Sequence, residues 1–258
     1  DHRKGTCFWA SAFLHGRNPN EGLEGEQRMK KGLSQETLKI IACLTMLVDH
    51  TAVVFGLSMW LRVIGRLAFP IYCFLLTEGM HHTRNAKRYL LRLFTMAVLS
   101  EPVYDLVLYP GRGIWLHQNV LWTLFLGGAM LWCMGKTEKY VWKILLIVPF
   151  ALLAQLMRAS YGSSGIYMIA LFALCRGLPE EKPVLALGLL GINGLMNSAA
   201  VTLFGLAIPV QLFAVLALIP IFLYSGEKRS KSRALCWVFY FFYPLHLLAL
   251  SALSRYVF

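Results

Sequence analysis

The chain has 258 residues, of which 57% are hydrophobic and only 15% are charged, a balance that excludes an ordinary soluble domain. Its formal net charge of +12 does not indicate nucleic-acid binding, because Lys and Arg lie in short clusters between apolar runs. The six cysteines have no CxxC spacing, so we expect neither a zinc site nor a disulfide framework. The composition and charge pattern are typical of a membrane protein, and the cysteines give no indication of a bound metal.

The chain divides into two segments by composition. Residues 1–36 are polar and Gly-rich and lack the apolar core of a signal peptide, so they predict an N-terminal extension that is disordered in part. A plausible natural start at Met29 makes residues 1–28 either disordered or an upstream extension of the reading frame. Residues 37–258 are predicted to form a transmembrane domain.

Apolar runs follow one another along the second segment. A helix needs roughly 20 apolar residues to cross a bilayer, which leaves room for about nine spans joined by short loops. The sixth and seventh runs are short and glycine-rich at their edges. We therefore predict an all-α, polytopic transmembrane bundle of about nine spans, near residues 37–58, 63–81, 88–108, 118–135, 140–158, 163–176, 183–198, 205–224 and 234–254.

The positions of Lys and Arg predict the orientation of this bundle. Cytoplasmic loops are enriched in these residues, and here they occur mainly in every second loop. The N-terminus is therefore expected in the cytoplasm and the C-terminus outside. The predicted inner side carries Lys30, Lys31, Lys39, Arg84, Lys87, Arg88, Arg92, Lys136, Lys139, Lys143, Arg176, Lys182, Lys228, Arg229, Lys231 and Arg233, and the outer side carries Arg62, Arg112, Arg158 and Arg255.

Ionisable residues inside the predicted spans are candidates for function, because each is costly in lipid unless paired or hydrated. Asp49, His50, Arg66, Glu101 and His246 fall at similar depth, between the bilayer middle and its outer half. We predict that they share a buried polar cavity used in catalysis or transport. The alternative is structural, with Arg66 paired to Asp49 or Glu101 only to hold helices together.

Prolines accompany three of these positions. Pro70 follows Arg66, Pro102 follows Glu101, and Pro244 precedes His246. Because proline removes a helical hydrogen bond, each predicts a helix distortion beside a polar residue.

A second polar group is predicted at the cytoplasmic mouth. It includes His82, Arg84 and Arg88, with Lys39 at a similar depth in the first span. Two interpretations remain open: these residues bind the phosphates of an acyl-CoA donor, or they anchor the chain to lipid headgroups.

Several ordered motifs between about residues 37 and 254 resemble one known family. They are Leu38-Lys39-Ile40-Ile41-Ala42, Met46-Leu47-Val48-Asp49-His50, Ile64-Gly65-Arg66-Leu67-Ala68-Phe69-Pro70, Phe74-Leu75-Leu76-Thr77-Glu78-Gly79, His82-Thr83-Arg84-Asn85, Tyr89 to Arg92, Ser100-Glu101-Pro102 and Phe239-Tyr240-Phe241-Phe242-Tyr243-Pro244-Leu245-His246. The chain resembles the TraX family of integral membrane proteins, named for a conjugation protein that N-acetylates pilin.

The resemblance implies roles for residues. The family looks related to a wider group of membrane acyltransferases, which place a basic residue, ten intervening residues and a histidine in the first span, as Lys39 and His50 stand here. It implies that His50 is the general base and that Arg66 stabilises developing negative charge. In this mechanism His246 would relay the proton or replace His50, and Glu101 or another helix would orient the imidazole. Asp49 belongs to the same predicted site, although it points about 100° away from His50 on a helix.

The resulting prediction is an acyltransferase of the bacterial plasma membrane. It would transfer acetyl from acetyl-CoA, bound near Lys39, His82, Arg84 and Arg88, to an amine or hydroxyl of a pilin-like surface protein or a cell-envelope glycan. Membrane lipids are the other expected partners. Two alternatives remain: a proton-coupled transporter or flippase, and a non-enzymatic assembly factor for fimbriae or pili whose polar cluster only holds helices together.

Overall fold

The computed structural model of the protein describes residues 32–109, 117–196, 198–227 and 233–257, and the side chains of 233, 234, 236 and 257 are not described. Leu33–Phe258 form one compact unit. The predicted extension up to residue 31, the start at Met29, and Arg112, Lys228, Arg229 and Lys231 lie outside the described residues. The boundary predicted at residue 36 stays a prediction.

Helices form wherever the sequence has a predicted span, except over part of the eighth. Their apolar runs are ended by Pro, Gly or charged residues, and Ser34, Asn85 and Asn119 cap three of them with side-chain oxygens. The helices are α1 Gln35–Val54, α2 Met59–Gly65, α3 Ala68–His82, α4 Ala86–Leu108, α5 Val120–Met134, α6 Tyr140–Leu156, α7 Gly162–Cys175, α8 Glu181–Gly194, α9 Leu218–Phe222 and α10 Arg233–Val257.

The second predicted span is broken into α2 and α3 at Arg66 and Leu67. Pro70 explains the break, because it has no N–H and its ring would clash with the carbonyl of Arg66 in a continuous helix. The distortion predicted beside Arg66 is therefore confirmed. Pro102 and Pro244 instead lie inside α4 and α10, which run on through them.

The prediction of a continuous helical span over 205–224 is wrong. Its first residues belong to an antiparallel hairpin, in which β1 Ala200–Leu203 pairs with β2 Leu206–Pro209. Phe204 and Gly205 both have positive φ, 49° and 81°, as a tight two-residue hairpin turn requires. Pro209 has no N–H, so it does not fit in the interior of the continuous helix that was predicted here. After Pro209 the chain forms a 3-10 helix, Val210–Ala217, which is followed by α9.

Among the described residues, three stretches are long and apolar enough to cross a membrane: α1, the pair α2–α3 over Met59–His82, and Trp237–Tyr256 of α10. Shorter apolar helices accompany them, including α5, α6 and α7. Large side chains on α6 that face outward are apolar, among them Val141, Trp142, Leu145, Val148 and Leu152. A surface of that kind fits lipid better than water, so the protein is a mostly helical membrane protein.

Contacts between loops show which loops lie at the same end of the helices, and they define two ends. At one end, which we call the basic end, the backbone N–H of Leu33 donates to Leu223 and that of Gln35 to Glu227, at 2.8 and 2.9 Å. Glu78 near the end of α3 pairs there with Arg176, which follows α7.

We call the other end the hairpin end. Gln118, just before α5, exchanges backbone hydrogen bonds with Arg158 and Ser160, between α6 and α7. Arg66 contacts Gln211 beside the hairpin. The helices therefore run between two ends with different loops.

Gly65 allows α2 to approach α1 unusually closely. A Cβ placed on Gly65 would lie 2.2 Å from Asp49 Cβ, far inside contact distance. Because Asp49 Cβ is bonded directly to the backbone, it cannot move aside unless helix α1 shifts.

We expect Gly65→Ala to lower the free energy of unfolding by about 1–3 kcal/mol through overpacking. The change in the free energy of unfolding is measured by thermal unfolding of the purified protein in detergent. Gly191→Ala is the matched control, because Gly191 lies in helix α8 with nothing within 4 Å of the added Cβ. Equal unfolding temperatures for the two variants would contradict the close approach.

Candidate functional site

An ion pair joins α1 to the break between α2 and α3. Arg66 Nη2 donates to Asp49 Oδ2 at 2.5 Å, and Arg62 Nε lies 3.5 Å from Asp49 Oδ1. The side chains of Asp49 and Arg66 are only 13% and 14% exposed, whereas that of Arg62 is 35% exposed. The predicted pairing of Arg66 with Asp49 is confirmed, and Arg62 joins them although the sequence did not single it out.

Two buried amides extend this ion pair. Arg66 Nη1 donates to Gln211 Oε1 at 3.2 Å, and Gln211 Nε2 donates to Asn193 Oδ1 at 2.9 Å. Asn193 Nδ2 in turn donates to the carbonyl of Leu189 at 2.7 Å. Neither amide was predicted from the sequence, in which each appears only as an uncharged polar residue within an apolar run.

A cavity of about 320 Å³ lies beside the ion pair at the hairpin end. Its walls come from α2, the turn before α7, the segment after α8 and the start of the 3-10 helix. The residues that line it are Met59, Arg62, Arg66, Ser160, Tyr161, Met196, Ser198, Ala199, Val210 and Gln211. The cavity is therefore lined by both polar and apolar side chains.

The two predicted histidines contact each other. His50 Nδ1 lies 2.7 Å from His246 Nε2, and the rings stack with centroids 4.9 Å apart. His50 also lies close enough to Asp49, Arg62 and Arg66 to interact with their charges. Four of the five predicted residues are thus brought together from α1, the α2–α3 break and α10.

The hydrogen bonds fix the protons on this pair when both rings are neutral. His246 Nδ1 lies 2.7 Å from the carbonyl oxygen of Phe242, which can only accept, so Nδ1 carries the proton. His246 Nε2 is then an acceptor, and His50 Nδ1 must be the donor to it. His50 Nε2 is consequently an unprotonated acceptor.

Glu101 belongs to a different network. Its carboxylate accepts from the backbone and side-chain N–H groups of Asn119, at 3.2 and 2.6 Å, and from Trp122 Nε1 at 2.7 Å. These contacts join α4 to the start of α5. Glu101 was predicted to orient the imidazole of His50. In the structure its hydrogen-bond partners are instead Asn119 and Trp122.

The residues predicted to bind a donor lie towards the basic end. Lys39 Nζ lies 5.4 Å from the ring centre of Phe239. His82 is 67% exposed and its Nδ1 lies 2.9 Å from the carbonyl of Glu78, while Arg84 and Arg88 are exposed. Across the described part of the chain, no three His, Cys, Asp or Glu residues are grouped so as to hold a metal.

Comparison with known proteins decides the family. The model of the family described as "TraX protein" matches residues 34–254. The chain belongs to the TraX family. A relative from Dichelobacter nodosus, described as "Probable fimbrial assembly protein FimC, serogroup H1", is 32% identical over 243 residues, covering 85% of this chain and 95% of the relative. No solved structure matches the chain.

These findings correct the function predicted from the sequence. The near full-length relative of this TraX-family chain is described as a fimbrial assembly protein, which overturns the acyltransferase prediction and favours the assembly-factor alternative. The family is confirmed, but its relation to the wider acyltransferase group stays a prediction. So do the catalytic roles given to individual residues and the binding of acetyl-CoA.

The histidine pair predicts how substitutions at His50 affect stability. Asparagine places an N–H donor near the position of Nδ1, so His50→Asn should retain the bond to His246, whereas His50→Leu leaves His246 Nε2 unpaired. We expect His50→Leu to lower the free energy of unfolding by about 1–3 kcal/mol and His50→Asn to lower it less. Thermal unfolding in detergent at a pH where both rings are neutral measures the difference. Equal loss in both variants would contradict the assigned proton positions.

Proposed function

We propose that this chain acts in the assembly of fimbriae or pili at a bacterial plasma membrane. The observation that carries the proposal is the near full-length match to the fimbrial assembly relative. The partner we propose is a fimbrial or pilus subunit. The three apolar stretches long enough to span a bilayer support placement of the chain in that membrane.

The proposed topology has nine spans, of which the eighth is formed by the 3-10 helix Val210–Ala217 together with α9, and it has the N-terminus in the cytoplasm and the C-terminus outside. The basic end supports it, because Arg84, Lys136 and Lys139 lie in loops there and Lys87 and Arg88 lie in the first turn of α4. At the hairpin end, Arg158 lies in a turn and Arg62 lies within the short helix α2. The hairpin then lies on the outer side, where fibres are assembled.

Cysteine labelling tests this orientation. Phe204 at the hairpin tip is 96% exposed, and Glu138 is exposed in a loop at the basic end. In spheroplasts, a membrane-impermeant maleimide is expected to label Phe204→Cys, and to label Glu138→Cys only after lysis. The unsubstituted chain gives the background from its native cysteines. The reverse pattern would invert the proposed orientation, and labelling of both variants in intact spheroplasts would exclude it.

In this proposal the polar cluster, defined as Asp49, Arg62, Arg66, Gln211, Asn193, His50 and His246, fixes the helices in one arrangement. Helices in lipid gain little from apolar contact with each other, so hydrogen bonds and close packing select their partners. The cluster connects α1 to α2, to α8, to the 3-10 helix and to α10. The polar cluster thereby fixes the shape of the hairpin end, and we propose that the fimbrial or pilus subunit binds to this end.

Deletion and complementation in the bacterium that carries the gene test the assembly role. We expect the deletion strain to make the fibre subunit but few or no surface fibres, counted by electron microscopy and by shearing. Wild-type chain restores the fibres. Arg66→Leu should not, because Asp49 then keeps only Arg62 at 3.5 Å and loses the hydrogen bond that Arg66 donates to it, a loss of about 1.5–3 kcal/mol.

Arg84→Gln is the control for that experiment. Arg84 is exposed at the basic end, outside the polar cluster, so this variant should restore the fibres like wild type. Immunoblots of membrane fractions report the amount of each variant. Normal fibres in the deletion strain would overturn the proposed function.

A further inference from the structure

The cavity at the hairpin end has more positive than negative charge around it. Arg62 and Arg66 both line it, and Asp49 is the single carboxylate paired with them. No acidic side chain is among its lining residues within the described part of the chain. The group Asp49, Arg62 and Arg66 therefore carries one net positive charge, which an anion would balance.

Of the two arginines, Arg62 is the one with hydrogen-bond donors that are not engaged by another described residue. Arg66 donates to Asp49, to Gln211 and to the carbonyl of Arg62, so most of its donors are engaged. Arg62 lies 3.5 Å from Asp49 but makes no hydrogen bond through its buried Nε atom. A guanidinium has five N–H donors in a planar fork that suits carboxylate and phosphate oxygens. Arg62 is thus placed at the cavity wall with donors available.

The other walls define the rest of a ligand. Ser160, Tyr161 and Ser198 also line the cavity, and each carries a hydroxyl group of a kind that hydrogen-bonds to oxygen atoms. Met59 and Met196 provide flexible apolar contacts that adapt to an organic group. A volume of about 320 Å³ is at the lower limit of pockets that bind small molecules.

We propose that this cavity binds a small organic anion carrying one carboxylate or phosphate group, with Arg62 as its principal ligand. Arg66, held in place by Asp49 and Gln211, adds its charge beside the anion, and the methionines contact the organic part. The inference goes beyond the assembly role and does not depend on it. Under the proposed orientation the anion comes from the outer side, either as a free molecule or as a lipid headgroup.

Calorimetry on the full chain in detergent tests the proposal. The probes are propionate and glycerol phosphate, titrated at constant ionic strength, with sodium chloride as the reference salt. We expect saturable binding of at least one probe, weakened about tenfold or more in Arg62→Gln, because a hydrogen bond to a charged group is lost. Arg62→Lys should recover part of the affinity, since it retains the charge but not the fork.

Arg158→Gln is the matched control. Arg158 is an exposed arginine at the same end of the bundle, but it lines a different cavity, so its loss should leave binding unchanged. Ala199→Trp, which places an indole in the cavity and leaves Asp49, Arg62 and Arg66 unsubstituted, should abolish binding in a protein that unfolds at the wild-type temperature. Absence of saturable binding for both probes, or equal weakening in Arg62→Gln and Arg158→Gln, would overturn the proposal.

Nanodiscs distinguish the two sources of the anion. If the site takes a lipid headgroup, glycerol phosphate binding is expected in phosphatidylcholine nanodiscs and competed away in phosphatidylglycerol nanodiscs. If the site takes a free anion, binding is the same in both lipids. Either result supports an anion site, whereas binding that persists in Arg62→Gln in both lipids would overturn the assignment to Arg62.

Discussion

The ion pair between Arg66 and Asp49 constrains much of the structure around it. A charge in an apolar region costs several kcal/mol unless an opposite charge and hydrogen bonds compensate it, so neither residue can be placed there alone. Their 2.5 Å contact requires α1 and α2 to approach closely, and Gly65 has no Cβ to prevent it. The break at Pro70 places Arg66 at a helix end, where its side chain also reaches Gln211 of the 3-10 helix. Three distant stretches are thus fixed by one pair.

The same constraint recurs elsewhere in the molecule. Glu101 is almost fully buried, and it is compensated by N–H donors of Asn119 and Trp122, which tie α4 to α5. His246 accepts from His50, which ties α10 to α1. Apolar contact between helices gives little selectivity in lipid, so these networks determine which helices pack together. Removing one partner would leave the other buried and unpaired, which makes these contacts specific as well as stabilising.

The sequence predicted the helices well and their contacts only in part. Apolar runs bounded by Pro, Gly and charge locate α1 and α3 to α8, because a helix is the simplest way to satisfy backbone groups in lipid. The hairpin was missed, since a short apolar run with Val201, Thr202 and Ile208 fits a strand as well as a helix. Depth along the spans placed Asp49, Arg66 and Glu101 in one layer, and the structural alternative left open whether Arg66 pairs with Asp49 or with Glu101. Gln211 and Asn193 were not predicted, because an uncharged amide shows no partner until the fold brings one near. The contacts of Glu101 with Asn119 and Trp122 could not be predicted for the same reason.

The two arginines beside Asp49 differ in a way that helix packing does not explain. One arginine is enough to compensate Asp49, and Arg66 does so with its remaining donors engaged by Gln211 and a backbone carbonyl. Arg62 adds a second charge at 3.5 Å without a hydrogen bond, at the wall of a cavity that no acidic side chain lines among the described residues. The side chain of Arg62 is 35% exposed, and its charge exceeds what Asp49 balances once Arg66 is paired, so an anion in the cavity would lower its electrostatic free energy. A structural cluster needs only Arg66, and the position of Arg62 is therefore explained by an anion rather than by the packing of helices.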